Sequence, residues 1–308
     1  MAKKICLVSA GLAGGGMERA LTALANYFAQ SGYEVTILNL FRTEVFFDLS
    51  PDIHIIWPKI DRKKHHRLVY AMLLIPYIRR EIKRIAPITI LSFGEWFNSY
   101  VILATLGMKQ PLFISDRMGP TLKLGFPLDF ANKKLYRFAT GIIAQTEIAK
   151  QIIQQKTKSK NIIVIPNAVV AVNAKPDRDK KKQIVTVGRL SREKGHTILI
   201  RAFAKLQANE WTLHIIGDGL LKEQLVKETQ ILNCENRVLF HGHLKNFEDI
   251  LSESEIFVLP SLYEGFPNAL IESMSVPLAC ISSNCIAGPS EIIEHNVNGL
   301  LARKGTRL

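Results

Sequence analysis

The chain is poor in cysteine, and its four thiols (Cys6, Cys234, Cys280 and Cys285) fall at no metal-ligand spacing. That excludes a zinc-ribbon scaffold and a disulfide-held one; buried or free thiols in a reducing compartment are expected. No apolar run approaches the roughly 20 residues that cross a bilayer, so no spanning helix is expected. The opening residues, MAKKICLVSAG, enter a strand at once and lack a small-residue cleavage site, which predicts a cytoplasmic protein. Two phosphate signatures are missing. After Gly14-x-Gly16 the third position of a dinucleotide fingerprint is Arg19, and no Walker A sequence occurs, which lowers NAD and ATP as ligands. The one D-x-D match, Asp177 to Asp179, lies in a polar stretch beside Lys180–Lys182, so no metal requirement is predicted.

Acidic residues are scarce in the first half. Residues 1–170 hold 23 Lys and Arg against 11 Asp and Glu, whereas residues 171–308 hold 17 against 16. Most of the net charge of +13 therefore belongs to the first half and points to an acidic partner there. A phosphate-bearing acceptor, an anionic membrane surface and nucleic acid are the candidates; a bland excess of surface lysine is the alternative. No nucleic-acid-binding module accompanies the charge, which places nucleic acid last. Residues 59–86 carry bases at both ends of an apolar centre, a pattern that suits docking on an anionic membrane face as well as an ordinary core helix with solvated ends. Pro76 is expected to bend or break that helix.

What is present is a chain of 308 residues with 47% apolar content, enough for two domains of ordinary size. A strand at Lys4–Ser9, a glycine-rich loop Gly11–Gly16, a helix Glu18–Ser31 and a strand Glu34–Leu40 make a βαβ unit, which implies a parallel sheet. Further strands are expected at Ile53–Trp57, Ile88–Phe93, Leu112–Asp116, Gly141–Ala144 and Ile162–Ile165. The polar stretch 171–182 is expected to be a linker between a first domain, 1–170, and a second, 183–308. The second begins its own α/β series at Gln183–Gly188 and brings strands at Trp211–Gly217, Val238–His241, Ile256–Pro260 and Leu278–Ser282. Two successive parallel α/β units predict two Rossmann-like domains facing a cleft.

The candidate site residues cluster where strands end. Tyr263–Glu272 (YEGFPNALIE) follows the strand at Ile256–Pro260 and turns into a helix. It delivers Glu264 and Glu272 to a carboxyl sheet edge, beside the amides of a helix N-terminus that suit an anion. Carboxylates for sugar hydroxyls next to amides for phosphate point to a nucleotide sugar; a solvated helix residue is the bland alternative for Glu272. Gly188-Arg189-Leu190-Ser191-Arg192-Glu193-Lys194 brings a bidentate cation and a point charge that would neutralise a departing diphosphate, or else a solvated loop. Gly217-Asp218-Gly219 is first of all a tight turn, and Leu244 is a candidate backbone contact to a base. His241 and His243 lack the further ligands a metal would need.

Together these pieces resemble the retaining nucleotide-sugar transferases of glycosyltransferase family 4, with the GT-B fold. The resemblance rests on Gly14-Gly15-Gly16-Met-Glu-Arg, Pro166-Asn167, Gly188-Arg189-Leu190 with Lys194, Gly217-Asp218-Gly219, Glu264 to Glu272, Gly288-Pro-Ser-Glu291 and Asn298-Gly299-Leu300-Leu301. Ser92-Phe-Gly-Glu95 and Ile114-Ser-Asp-Arg117 are similar to the subgroup that builds bacterial surface and lipid-linked glycans. The resemblance implies that Gly15 and Gly16 face the donor, that Arg189 and Lys194 bind its diphosphate, and that Glu264 meets its sugar. It also implies that Asn268, Ala269 and Leu270 amides meet the phosphate and that Glu272 binds the ribose. Glu95 and Arg117 would lie on the acceptor side. The implied catalytic residues are Arg189, Lys194 and Glu264, with no cofactor and no metal. The implied donor is UDP-linked hexose or N-acetylhexosamine, and the implied acceptor is a lipid-linked or surface saccharide. A peripheral place on the inner face of the cytoplasmic membrane follows. Family members continue some fifty residues past the Asn-Gly-Leu-Leu element, so the second domain is expected to lack its closing helices. An impaired remnant of such an enzyme, and a nucleotide-sugar epimerase on a similar fold, are the alternatives.

Overall fold

A computed structural model of the chain describes residues 3–168, 179–244 and 246–302. The chain divides into two compact units, Met1–Ala168 and Val169–Leu308. The expected linker lies outside the described residues up to residue 178; its last two residues, Lys181 and Lys182, already belong to a strand.

In chain order the first unit consists of β1 (Lys4–Ser9), α1 (Gly16–Gln30), β2 (Glu34–Asn39), β3 (His54–Ile56), α2 (Arg67–Ile85), β4 (Thr89–Phe93), α3 (Glu95–Thr105), β5 (Leu112–Ser115), α4 (Leu128–Leu135), β6 (Gly141–Ala144), α5 (Glu147–Thr157) and β7 (Ile162–Val164). Among the described residues its seven strands form one sheet in the order β3-β2-β1-β4-β5-β6-β7, with every pairing parallel. The order reverses between β1 and β4, the place where loops diverge at the carboxyl edge. Ile5, Leu7, Val35 and Ile37 are buried on one side with Leu21 and Ala25 of α1; Cys6, Val8 and Leu38 are buried on the other with Leu74 and Ile78 of α2. Runs apolar on both faces are what a sheet covered by helices requires.

Pro76 does not break α2, which runs unbroken for 19 residues. Tyr70 and Leu74 before the proline, and Tyr77, Ile78 and Ile82 after it, are all buried. Tyr70 and Tyr77 also donate to the carbonyls of Leu40 and Asn39. Packing on both sides of the proline keeps the helix continuous, so tertiary contact overrides the local tendency to break.

The second unit consists of β8 (Lys181–Val187), α6 (His196–Ala204), β9 (Thr212–Ile216), α7 (Lys222–Ile231), β10 (Val238–Gly242), α8 (Glu248–Glu253), β11 (Ser254–Leu259), α9 (Asn268–Met274), β12 (Ala279–Ser283), α10 (Pro289–Ile292) and β13 (Leu300–Ala302). Its six described strands run parallel in the order β10-β9-β8-β11-β12-β13, so the reversal falls between β8 and β11. All four cysteines are free and buried, and burial pushes the Cys6 thiol up to about 12. None of the described helices is long and apolar enough to cross a membrane.

Candidate functional site

The reversal between β8 and β11 decides which loops of the second unit meet. After β8 the chain makes Gly188-Arg189-Leu190, a 3₁₀ turn at Arg192–Lys194, and then α6. After β11 it passes Pro260, Ser261 and Glu264 to α9. Lys194 Nζ donates to both Glu264 carboxylate oxygens, at 2.7 and 2.8 Å. Ser261 Oγ donates to Glu264 Oε1 at 2.5 Å, and the Leu262 N–H to the Glu193 carbonyl at 2.7 Å. The two loops are thus stitched side by side. Glu264 is 5% exposed and Lys194 26%, so the pair presents its cation end to the edge. Arg189 is exposed beside it. The sequence treats Lys194 and Glu264 as separate donor contacts; the fold makes them one ion pair.

The turn after β9 supports this floor. Leu190 N–H donates to Asp218 O at 2.9 Å, and Leu221 N–H to Leu190 O at 3.1 Å. Gly217 has φ +141° and lies so close that a Cβ there would sit 2.0 Å from the Gly188 carbonyl oxygen. Leu244 packs its side chain on the core formed by Phe257 and its neighbours, which leaves its backbone for any contact outside.

On α9, Glu272 is 4% exposed, so it is not a solvated helix residue. Of the three amides expected to meet phosphate, that of Asn268 donates to Phe266 O and that of Leu270 to Pro267 O, both at 3.0 Å. These two close the local turn, and Ala269 lies between them. The structure adds His196, which sequence reading missed. It opens α6, is 2% exposed, and lies with Lys194 against Gly188. Burial, and then the Lys194 charge, push its imidazole down to about 4, so it is neutral near pH 7. A histidine after Lys194-Gly195 carries no sequence signal that separates it from any helix-starting residue. His241 turns to His214 rather than to His243: the two rings stack and their nitrogens lie 3.0 Å apart.

In the first unit the reversal between β1 and β4 places the glycine-rich loop beside Gly94 and Glu95. Gly15 precedes α1 in extended backbone and Gly16 is its first residue. Met17 lies against Gly94, 3.3 Å from where its Cβ would be. Glu95 opens α3 and is buried; its Oε1 accepts from the Met118 N–H at 2.7 Å. Arg117 donates from Nε to Ser115 Oγ at 2.7 Å and from Nη1 to Asn167, which also accepts from Gln145. Its guanidinium lies 4.5 Å from the Phe93 ring centre, and burial lowers its pKa to about 10. Asp116 Oδ1 accepts from Tyr136 at 2.8 Å and from Asn98 at 3.2 Å. Glu95 is therefore buried inside a polar network, and Arg117 is half-buried at its margin.

That network carries a pH signature. Burial raises the Glu95 carboxyl well above the usual range, with the Asp116 charge adding to it, and raises Asp116 from 3.8 to about 6. The folded chain therefore holds protons that the unfolded chain releases between those two values. Stability falls as pH rises through that window, and the whole loss remains above it. A two-unit shift corresponds to roughly 3 kcal/mol. Asp116→Asn keeps an acceptor for Tyr136 and Asn98 and cannot ionise. It is expected to exceed the parent by about 1–3 kcal/mol at pH 8 and to lose that advantage at low pH. Urea unfolding of both proteins at pH 4.5 and 8 checks this; an equal difference at the two pH values contradicts it.

Two all-parallel Rossmann-like units, with charged and glycine-lined loops at each reversal of strand order, have the architecture of the GT-B fold. The profile of Glycosyltransferase Family 4 matches residues 14–171, and that of Glycosyl transferases group 1 matches residues 171–307. The chain belongs to glycosyltransferase family 4. It is 26% identical over 97% of its length, and 84% of the relative's, to a GalNAc-alpha-(1->4)-GalNAc-alpha-(1->3)-diNAcBac-PP-undecaprenol alpha-1,4-N-acetyl-D-galactosaminyltransferase of Campylobacter jejuni. A lipopolysaccharide 1,6-galactosyltransferase of Salmonella typhimurium is 33% identical over 51% of this chain and 46% of that one. Among solved structures, the lipopolysaccharide outer core galactosyltransferase WaaB superposes with a TM-score of 0.72 at 23% identity, covering 98% of this chain and 86% of that chain. Anabaena HepE in complex with UDP and glucose gives 0.77 at 18% identity, with the same coverage. At these identities the structures establish the fold, and the two relatives named here act on an undecaprenol-linked saccharide and on lipopolysaccharide.

Proposed function

We propose that the chain transfers a hexose or N-acetylhexosamine, with retention, from a UDP-linked donor to a saccharide carried on a lipid or a surface polysaccharide. The observation that carries this reading is the Lys194–Glu264 pair across the β8/β11 reversal, with exposed Arg189 beside it. A paired cation and a free-standing one at a sheet edge suit a diphosphate leaving group. The acceptor hydroxyl oxygen forms the new bond to the anomeric carbon on the face from which the diphosphate departs. The bond from that carbon to the phosphate oxygen breaks, its electron pair stays on the phosphate, and the acceptor proton passes to that phosphate. Lys194 and Arg189 hold the charge that develops; Glu264 orients Lys194 and meets sugar hydroxyls; Glu272 takes the ribose. No metal enters this scheme. The basic first unit would hold the enzyme at the inner face of the cytoplasmic membrane.

Titration calorimetry with UDP, GDP and their sugars, without added metal, tests the donor site. Saturable binding of one nucleoside diphosphate is expected, weakened about tenfold by Arg189→Ala or Glu272→Ala, in line with about 1.5–3 kcal/mol for a charge-assisted bond. A folded chain that binds neither nucleotide, or folded variants with unchanged affinity, would count against the proposal.

A further inference from the structure

The outward surface around α4 has no part in the sites described above. α4 itself buries no residue, although it packs on α3. Phe126 is 87% exposed, Phe130 55% and Phe138 51%. Phe130 and Lys134 stand one turn apart on α4, Phe126 packs on Phe130 just before the helix, and Phe138 lies in the 3₁₀ turn just after it. The rings of Phe126 and Phe130 pack together at 6.4 Å, tilted by 51°; Lys134 lies over Phe130 and Arg137 over Phe138. Lys133 is exposed next to them. The one acid of residues 121–139, Asp129, accepts from the N–H groups of Leu124 and Gly125, so its charge serves to fold the loop that carries Phe126. The surface is therefore apolar rings interleaved with uncompensated bases.

Its place in the unit adds to this. Asn132 of α4 donates to the backbone carbonyl of Glu95, and Arg67 at the start of α2 packs over the ring of Trp96. α2 and α4 therefore both reach the Glu95–Trp96 step that opens α3, and α2 exposes Leu68 (65%) and Met72 (71%). Glu95 in turn braces Met118, next to Arg117.

We infer that Phe126, Phe130 and Phe138, with Lys133, Lys134 and Arg137, form a surface that docks on an anionic bilayer and sets the acceptor side of the first unit at headgroup level. This rests on the reading that the acceptor is lipid-linked. Aromatic rings lodge at the membrane–water boundary, while bases beside them draw anionic headgroups. Two rings that pack against each other, rather than standing apart, are poor platforms for stacked bases, which favours a bilayer over a nucleic acid.

The test is co-sedimentation of the full chain with phosphatidylcholine vesicles, with phosphatidylglycerol mixed in or omitted. Phe126→Ser/Phe130→Ser is expected to lower partition onto the mixed vesicles by about tenfold or more. Lys133→Glu/Lys134→Glu is expected to remove the preference for the anionic lipid. Circular dichroism and urea unfolding should match the parent in both, which shows that the first unit is folded, and calorimetric binding of UDP should stay at the parent value. If the parent binds no vesicles, or if the aromatic variant keeps full binding while Leu68→Ser/Met72→Ser loses it, this surface is not the docking surface; in the second case the membrane reading itself survives. An aromatic variant that dissociates a parent dimer, or releases a bound oligonucleotide, while vesicle binding stays unchanged also overturns the inference. Loss of UDP binding by the parent would strike the transfer reading and leave the vesicle result to stand alone.

Discussion

Lys194→Ala is expected to lower the turnover of sugar transfer by on the order of 10²–10³-fold at saturating donor, the usual loss when one group that stabilises developing charge is removed. The expectation follows from geometry. Lys194 is held on both oxygens of a buried carboxylate, so its ammonium is already placed and needs little ordering when charge develops on the leaving phosphate. A fixed cation at a dry edge acts more strongly than a mobile one in water. The same substitution leaves Glu264 buried with the Ser261 hydroxyl as its partner. Breaking one side of a buried pair costs about 3–5 kcal/mol of stability, so the variant should also unfold more easily. Lys194→Arg keeps the charge and its fork can pair both Glu264 oxygens, so it should restore part of the turnover, the remainder being lost to the longer planar group at the edge. Steady-state kinetics at a temperature where circular dichroism shows each variant folded separate the two effects. A folded Lys194→Ala enzyme with turnover within threefold of the parent would remove Lys194 from the chemistry.

Glu264→Gln provides the complement. It keeps a hydrogen-bonding side chain of the same size but frees Lys194 from its anchor. If Glu264 chiefly orients Lys194, the double variant loses little more than Lys194→Ala alone; if it contacts the sugar independently, the two losses add.

How much of this was readable from sequence depends on which link is asked. Strands such as Lys4–Ser9 and Ile256–Leu259 were legible because a strand covered on both faces is a short apolar run between turn residues. The loops that carry Gly188–Lys194 and Glu264–Glu272 were legible for the same reason: they begin where those runs stop. What could not be read is that Lys194 and Glu264 touch. That contact needs β8 beside β11, and sequence order alone does not say which strands become neighbours. The helices between the later strands of the first unit also escaped. α3 is apolar on most of its surface, so Glu95–Thr105 shows no clean period, and α4 is only eight residues long and buries none of them, so its apolar residues mark no core face. With α3 unread, the resemblance could put Glu95 on the acceptor side but not show that it opens a helix and is buried. Pro76 is the reverse case, a strong local signal outweighed by packing that only the fold supplies.

Gly195→Ala is expected to unfold the second unit more severely than any change on its surface. Gly195 sits at φ +68°, where an L side chain is disfavoured by roughly 1–2 kcal/mol. A Cβ there would also lie 2.1 Å from the carbonyl oxygen of Pro260 and 3.0 Å from its carbon. Those atoms belong to the backbone at the end of β11, so no side chain can swing aside. Relief requires the 3₁₀ turn and the strand end to part by more than an ångström. That movement breaks the Leu262–Glu193 hydrogen bond and pulls Lys194 from Glu264. The combined loss should be about 4 kcal/mol or more, in the range that marks strain against a fixed backbone. The melting transition should fall by roughly 10 °C. Gly242→Ala is the matched control, because Gly242 also has positive φ, +69°, but no atom stands within 4 Å of its added methyl. It carries the conformational cost alone, about 1–2 kcal/mol. Equal losses in the two variants, measured by urea unfolding, would mean that the loops after β8 and β11 are not held as closely as the Lys194–Glu264 geometry requires, and the donor site built on them would fall with that contact.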